Sequence, residues 1–354
     1  MKKICLLSLL FVNILLCSDT ILQRAIESSQ LFLTPSILES LQQISHSKID
    51  TLKKNIPKQT TSRPLIQCYP LLKENLPWLE LAYLPTPIVH LSSLSKQYGI
   101  AHLYMKDDGK TGLLIGGNKL RKLELLLAEA IWLGAQHIMT FGCVGSNHAT
   151  TTAFYAQQLG LKCSLFLVNQ PNSHVVQNNL VINHKSHARL FFYPTSELRK
   201  VGALSEFLQI FYNENVFPYV IQIGGSNPLG AIGYVNAIFE LKEQIKEGLL
   251  EEPDFIYCPA GSLGTVAGLL LGIQVLQLKT QLIAVSIQDR EFQLSIIKLL
   301  NATNHLLHSL DSNFPLLNFA NLNIVFRTEF EGPSYGILTD QTQAALTIFQ
   351  QEEG

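Results

Sequence analysis

The sequence predicts an α/β protein of two domains, with parallel-rich, open twisted sheets flanked by helices. Its 354 residues exceed what one hydrophobic core usually supports. Hydrophobic residues make up 47% of the chain and charged residues only 15%, a composition typical of a well-buried enzyme. From residue 136 onward, strand-like segments alternate with helical ones. The run 165–168 is apolar on both faces, as buried parallel strands are.

Residues 1–18 have the pattern of a secretory signal peptide, because Lys2 and Lys3 precede a short apolar stretch at 4–16. That stretch is too short to span a bilayer comfortably. We therefore expect a periplasmic or secreted protein with no stable membrane span in the mature chain. The alternative is a cytoplasmic protein with a mis-assigned start codon or an apolar N-terminal helix. Residues 19–63 are polar and weakly periodic, and are predicted to form an extension without chemistry.

Charge and cysteine spacing argue against two classes of function. The net charge is -1 and no basic run follows Lys3, so nucleic acid is not an expected partner. The six cysteines show no CxxC spacing and form no Cys/His cluster in the sequence, so no metal site is predicted.

The segment 115–124, IGGNKLRKLE, places a lysine directly after two glycines and an asparagine, where a loop becomes a helix. Glycines let the backbone pass close to a flat ligand. Asn118 can cap the helix that starts near Leu120. Lys119 is then fixed at a helix start, the geometry that a Schiff-base lysine needs. A capped surface helix with solvated cations is the alternative.

The following chain is predicted to alternate strands and helices. The strands are expected at 136–141, 164–168, 188–193, 219–223, 254–258 and 281–287. The helices are expected at 147–159, 175–184, 197–212, 230–245 and 265–277. Ligands of such folds bind beyond the carboxyl ends of the strands, where loops enter helices.

Three loops fall at those ends: 142–148, 223–230 and 259–268. The third offers consecutive backbone N–H groups at a helix start together with the hydroxyls of Ser262 and Thr265, which predicts a phosphate cradle. It is not a P-loop, since no Gly-Lys-Thr follows, and it fails the dinucleotide pattern at the second glycine. In the first loop, a lone Ser146-Asn147 pair is better explained as a simple helix cap, and the alternative for the second loop is a plain turn.

A Schiff-base lysine, a phosphate cradle and a Ser-Asn loop on one α/β scaffold together indicate a pyridoxal phosphate site. The motifs GGNKLRKLE, GSNH, GGSNPLG and GSLGTVAG occur in this order at 116–124, 145–148, 224–230 and 261–268. From about residue 84 onward the chain resembles the fold-type II pyridoxal-phosphate enzymes, which are tryptophan synthase beta-like. Within them it resembles the D-cysteine desulfhydrase / 1-aminocyclopropane-1-carboxylate (ACC) deaminase family. The resemblance implies pyridoxal 5′-phosphate as cofactor.

The resemblance also implies roles for individual residues. Lys119 would hold the cofactor covalently and move protons, with Asn118 beside it as a cofactor-binding residue. Ser146 would meet the substrate, Asn147 would bond the cofactor's ring hydroxyl and also face the substrate, and Tyr335 would lie against the substrate. His148 would bind substrate, or be a satisfied histidine at a helix start. The phosphate loop would comprise Gly261, Ser262, Leu263, Gly264 and Thr265.

The implied function is a carbon–sulfur lyase acting on a D-amino acid. His148 and the turn 224–228 look like the D-cysteine desulfhydrase side, because ACC deaminases usually carry glutamine after Ser-Asn. D-cysteine would be converted into sulfide, pyruvate and ammonia by Cα deprotonation and β-elimination. ACC deamination, or elimination from another D-amino acid, is the alternative within the family. Relatives are expected to continue for a few dozen residues past Gly354. The alternative of another class is therefore a truncated, non-catalytic relative that binds pyridoxal phosphate or an amino acid.

By the same resemblance, residues 64–121 with 232–354 would form a large cofactor-binding domain, with its C-terminal end truncated. Residues 122–231 would form a smaller α/β domain. A homodimer is expected.

Overall fold

The protein is described by a computed structural model that covers residues 63–287, 292–320, 322–333 and 335–353. The predicted signal peptide at 1–18 and nearly all of the predicted extension at 19–63 lie outside these residues. The described chain divides into two compact units. The first unit contains residues 77–79 and 126–224, and the second contains 63–76, 80–125 and the described residues from 225 onward. Within the described ranges, no helix is long and apolar enough to cross a membrane.

The regular elements follow one another in an order that alternates strands and helices through most of the chain. In chain order they are α1 (Pro64–Cys68), α2 (Leu72–Asn75), β1 (Ile88–His90), α3 (Ser92–Tyr98), β2 (Tyr104–Lys106), α4 (Leu120–Trp132), β3 (His137–Cys143), α5 (Asn147–Gln158), β4 (Lys162–Val168), α6 (His174–Lys185), β5 (Arg189–Tyr193), α7 (Ser196–Glu214), β6 (Tyr219–Ile221), α8 (Pro228–Lys246), β7 (Phe255–Ala260), α9 (Gly264–Val275), β8 (Gln281–Ser286), α10 (Phe292–Leu310), β9 (Ile324–Arg327) and α11 (Asp340–Glu353). A 3₁₀ turn, Asp108–Thr111, precedes α4.

The first unit is built on a parallel sheet with the strand order β5-β4-β3-β6. On one face, aromatic and aliphatic side chains of the strands pack against α7. This core consists of Met139, Phe166, Ala203, Phe207, Ile210 and Val220. On the other face, Thr140 of β3 contacts His148 of α5. Helices therefore cover both faces of the sheet, as the two-sided apolar strands require.

The second unit contains a parallel sheet in the order β7-β8-β9 and a separate antiparallel pair, β1-β2. Helices α8, α9 and α10 pack against one another in this unit. The crossing of α8 and α9 is close because Gly268 has no side chain: a Cβ there would lie 2.3 Å from the carbonyl oxygen of Ala231. This contact brings the starts of both helices together.

The structure confirms the predicted fold class. Every strand and helix predicted between 136 and 287 is present, with ends within two residues of the prediction. Side-chain caps set several helix starts: Ser146, Ser173, Thr195 and Asn227 each accept a hydrogen bond from the backbone N–H three residues later.

Candidate active site

Lys119 lies one residue before α4 and its side chain is partly buried. Burial lowers the pKa of its amine to about 8, because the charged form loses hydration. Its Nζ donates a hydrogen bond to Asn118 Oδ1 at 2.9 Å. The residue therefore has the chemistry of an amine that is easily deprotonated near neutral pH.

The two glycines before Lys119 pack on the 3₁₀ turn Asp108–Thr111. Gly117 has φ +105°, a conformation that side chains rarely adopt, and its N–H donates to Asp108 O at 2.9 Å and to Thr111 Oγ1 at 2.8 Å. A Cβ on Gly116 would lie 2.2 Å from Gly109 O. These contacts give the glycines a packing role; their role in ligand approach stays a prediction.

Lys122, one helical turn after Lys119, is fully buried and points at the predicted phosphate loop. Its Nζ donates to Ser226 Oγ at 3.2 Å. Ser226 Oγ also accepts from Gly264 N at 3.1 Å and donates to Ser262 Oγ at 2.8 Å. Burial lowers the pKa of Lys122 well below its ordinary value, with the charge of Lys119 adding to the effect.

The loop before α9 has the geometry of an anion cradle. Leu263, the residue before the helix, adopts a left-handed conformation with φ 66°, which is uncommon for a non-glycine residue. Such a residue beside helical backbone N–H groups forms a concavity that binds anions. A Cβ on Gly264 would lie 2.6 Å from Ser226 Oγ and 2.9 Å from Lys122 Nζ, so only glycine leaves this space open. Amine, hydroxyl and backbone donors surround it, which is the donor set that fits a phosphate group.

The first unit places Ser146 and Asn147 at the start of α5. Ser146 caps the helix, its Oγ accepting from Ala149 N at 3.3 Å. Asn147 Oδ1 accepts from Asn179 Nδ2 at 2.9 Å, and the same Nδ2 donates to Gly145 O at 3.0 Å. Asn179 therefore holds the Asn147 amide by its oxygen, and the NH₂ group of Asn147 takes no part in this contact.

His148 points into the first unit, where its side chain is buried. Its Nε2 lies 3.0 Å from Thr140 Oγ1, and that hydroxyl donates to Ile221 O at 2.9 Å. Because the single hydroxyl hydrogen of Thr140 is used there, His148 Nε2 is the donor of the pair. The contact ties α5 to the end of the sheet; a contact between His148 and substrate stays a prediction. Tyr335 is half-buried between β9 and α11, and its predicted role is also untested.

The structure brings the sequence-predicted site residues together in two groups. Lys119 and Asn118 share the second unit with the loop residues Gly261, Ser262, Leu263, Gly264 and Thr265, whereas Ser146, Asn147 and His148 share the first. Lys122 and Ser226 are further candidate phosphate-binding residues, which are not among the residues predicted from the sequence. The available signal was the spacing of the two lysines, since residues three apart lie on one face of a helix.

Comparison with known proteins identifies the family. Residues 79–354 match the family described as "Pyridoxal-phosphate dependent enzyme". The chain is 34% identical over 285 residues to a D-cysteine desulfhydrase of Klebsiella pneumoniae, which covers 78% of this chain and 83% of that protein. It is 33% identical over 279 residues to a Thermotoga maritima protein whose description names a 1-aminocyclopropane-1-carboxylate deaminase, with 78% and 85% covered.

A solved structure described as an ACC deaminase homologue superposes with a TM-score of 0.70 at 29% identity, covering 83% of this chain and 85% of the other. These matches confirm the predicted resemblance and pyridoxal phosphate as the cofactor. The chain therefore belongs to the pyridoxal-phosphate-dependent enzymes, and within them to the lyases of the ACC deaminase / D-cysteine desulfhydrase group.

Proposed function

We propose that this protein is a D-cysteine desulfhydrase, which converts D-cysteine into sulfide, pyruvate and ammonia. The observation that carries the proposal is a partly buried amine, Lys119 with a pKa of about 8, in the same unit as a phosphate cradle. The choice of D-cysteine is supported by the Ser-Asn-His sequence at 146–148. It is also supported by relatives of that name at 34% and 31% identity.

The second unit offers the groups that would hold the cofactor. Lys122, Ser226, Ser262 and the N–H of Gly264 would bind its phosphate, exchanging the hydrogen bonds that they make with one another for bonds to the phosphate oxygens. Lys119 Nζ would bond to its aldehyde carbon. When bound, pyridoxal phosphate supplies an electron sink for the pair released at the substrate Cα.

Lys119 is suited to moving the Cα proton. At pH 8 an amine of pKa about 8 is about half neutral, whereas one at the ordinary value is neutral in well under about 1% of molecules. In the proposed reaction the substrate amine would first displace Lys119 from the cofactor. The freed Nζ would then take the Cα proton, and the Cβ–S bond would break with its electron pair leaving on sulfur. Water then converts the remaining three-carbon unit into pyruvate and ammonia.

We propose Ser146 and Asn147 as further polar contacts, as the family resemblance implies. The Ser146 hydroxyl accepts from Ala149 N, and its own hydrogen can donate to a substrate carboxylate. The Asn147 amide is held through its oxygen by Asn179, which leaves its NH₂ to donate to the ring hydroxyl of the cofactor. Tyr335 is proposed to lie against the substrate.

ACC deamination is the second candidate, favoured by the Thermotoga maritima relative and by the solved ACC deaminase homologue. The two reactions give different products, because D-cysteine releases sulfide with a three-carbon oxo acid, whereas ACC gives a four-carbon oxo acid without sulfide.

The test is to load the purified chain with pyridoxal phosphate and to quantify sulfide and oxo acid from D-cysteine, L-cysteine and ACC. We expect sulfide and pyruvate from D-cysteine alone. Lys119→Ala should abolish both products, and Lys110→Ala, which removes an exposed lysine of the same unit, should leave them unchanged. Oxo acid from ACC alone would replace D-cysteine by ACC as substrate. Cofactor binding at Lys119 without turnover of any of the three would refute the proposal in favour of a non-catalytic relative.

A further inference from the structure

We propose that Tyr234 and Asp108 are positioning residues, which fix the direction of Lys119 relative to the phosphate loop. They belong to a buried polar cluster around Arg121, called here the Arg121 cluster, consisting of Thr86, Asp108, Arg121, Tyr234 and Glu240. The proposal rests on the proposed role of Lys119 as the lysine that holds the cofactor.

Arg121 has a hydrogen-bond partner on every side, although its side chain is only 1% exposed. Its Nε donates to both carboxylate oxygens of Asp108 at 3.0 Å, and its Nη2 donates to Asp108 Oδ1 at 2.8 Å. Nη1 donates to Glu240 Oε2 at 2.9 Å, and Nη2 also donates to Thr86 Oγ1 at 2.9 Å. A guanidinium held in this way has one position and one orientation.

Asp108 holds the chain on both sides of Lys119. Its carbonyl oxygen accepts from Gly117 N, two residues before the lysine. Its carboxylate holds the side chain of Arg121, two residues after the lysine. Helix α8 is pressed against the same place, because a Cβ on Gly233 would lie 2.1 Å from Arg121 O. The backbone that carries Lys119 is therefore held between two fixed points.

Tyr234 connects the Arg121 cluster to α9, the helix whose start forms the predicted phosphate cradle. Its hydroxyl donates to Asp108 Oδ2 at 2.7 Å, and burial with the nearby Asp108 charge raises its pKa well above the ordinary value, so it stays a donor. The Lys122 amine lies 6.0 Å from the centre of its ring. The Cβ of Tyr234 faces Gly268 of α9, and a Cβ added to Gly268 would lie 2.5 Å from it. One side chain thus contacts the anchor of the Lys119 segment and the helix whose start forms the phosphate cradle.

The test is Tyr234→Phe, which keeps the ring packing and removes only the hydroxyl. The chain offers a matched control in Tyr219→Phe: Tyr219 is also buried and its hydroxyl donates a short hydrogen bond to a carboxylate, Glu129, in the other unit. Each purified variant would be soaked with pyridoxal phosphate. The readouts are the cofactor dissociation constant, the pH titration of the yellow absorbance, the thermal midpoint, and peptide mapping after borohydride reduction to identify the lysine that carries the cofactor.

We expect Tyr234→Phe to raise the cofactor dissociation constant about tenfold. It should also shift the absorbance titration and let part of the cofactor attach at Lys122. Tyr219→Phe should lower the thermal midpoint comparably and change none of the cofactor readouts. If the two variants differ from the wild type only in thermal midpoint, the positioning role is refuted.

Should Tyr234→Phe not fold, Thr86→Val would be measured in its place, since it removes a hydroxyl bound to Arg121 and Asp108 from the other side of the cluster. It carries the same expectations and the same refuting outcome. The proposed function fails separately: wild type that attaches no cofactor at Lys119 refutes both, whereas wild type that attaches it but does not consume D-cysteine refutes only the substrate.

Discussion

Replacing Lys122 by methionine should change apoprotein stability and cofactor affinity in opposite directions. Lys122 is fully buried, and burial lowers its pKa well below the ordinary lysine value, so the apoprotein bears a cost for keeping an amine there. Methionine has a similar length, fills irregular space and needs no hydrogen bond. Its Sδ and methyl would occupy the position now held by an Nζ that donates to Ser226 Oγ at 3.2 Å.

The size of each change is worked out separately, for the stability of the apoprotein and for its affinity for the cofactor. Replacing a buried ion pair by apolar residues of similar volume is neutral or stabilising by roughly 1–4 kcal/mol, and we expect the low end of that range for this single amine. A hydrogen bond from a cation to a phosphate contributes about 1.5–3 kcal/mol, so its loss should weaken cofactor binding by about 10- to 150-fold. We therefore expect one substitution to raise the stability of the apoprotein and to weaken its binding of the cofactor.

The pH dependence gives a second check on the same residue. Below its unfolded pKa, Lys122 binds a proton more readily in the unfolded chain than in the folded one, so folding is penalised. The penalty fades as the pH rises toward the ordinary lysine value and is absent above it. The stability gained by Lys122→Met should therefore grow as the pH falls below about 10.5 and disappear above that value.

The assay is urea unfolding of apoprotein at several pH values, together with titration of the folded protein with pyridoxal phosphate. Lys110→Met is the matched control, because Lys110 is exposed in the same unit and should change neither quantity. An apoprotein destabilised by the substitution at Lys122, or one that binds the cofactor with unchanged affinity, would show that this amine is not held for phosphate.

Three further predictions concern other parts of the chain. Gly264→Ala should weaken cofactor binding at least about tenfold with little loss of helix content, because the added methyl would lie 2.6 Å from Ser226 Oγ. Isothermal calorimetry measures the affinity, and an unchanged value would contradict the assignment of this loop as the phosphate-binding site. Burial lowers the pKa of His137 to about 4, so between about pH 6.5 and pH 4 the unfolded chain binds a proton that the folded chain does not. As the pH falls through that window, the free energy of unfolding should decrease by about 2 kcal/mol, a value that allows for solvent screening. Urea unfolding measured against pH should show a flatter profile for His137→Gln. Residues 1–18 should carry a fused reporter across the membrane, and an unprocessed cytoplasmic fusion would refute the signal peptide.

The sequence predicts the central part of the fold well because each element there has a local signal. Helix starts carry capping side chains, such as Thr195 and Asn227, and Pro228 occupies the first turn of α8. The elements not predicted are the strands β1, β2 and β9 and the helices α1, α2, α3, α10 and α11. The three strands have only three or four residues each, too few for an alternating pattern to be recognised against the surrounding loops.

The candidate site shows where local signals end. The motif containing Lys119 and the loop before α9 are each visible in the sequence, because glycines and hydroxyl residues mark them. The burial of Lys122 depends on residues more than 100 positions away along the chain, namely Ser226, Tyr234 of α8 and Gly264 of α9. For the same reason His148, beside the Ser-Asn pair, gives no local sign that it faces Thr140.

Two lysines three residues apart raise the question of which amine reacts. If the lower pKa alone decided which amine reacts, that amine would be Lys122, since burial lowers its pKa more than that of Lys119. A phosphate bound at Ser226 and Gly264 reverses that order, because a neighbouring anion favours the charged ammonium and a protonated amine is no nucleophile. Lys119, which bonds to Asn118 and has a pKa of about 8, then remains the amine that is partly neutral near physiological pH. Phosphate binding would therefore select the reactive lysine, provided that the Arg121 cluster keeps the two amines in their separate positions.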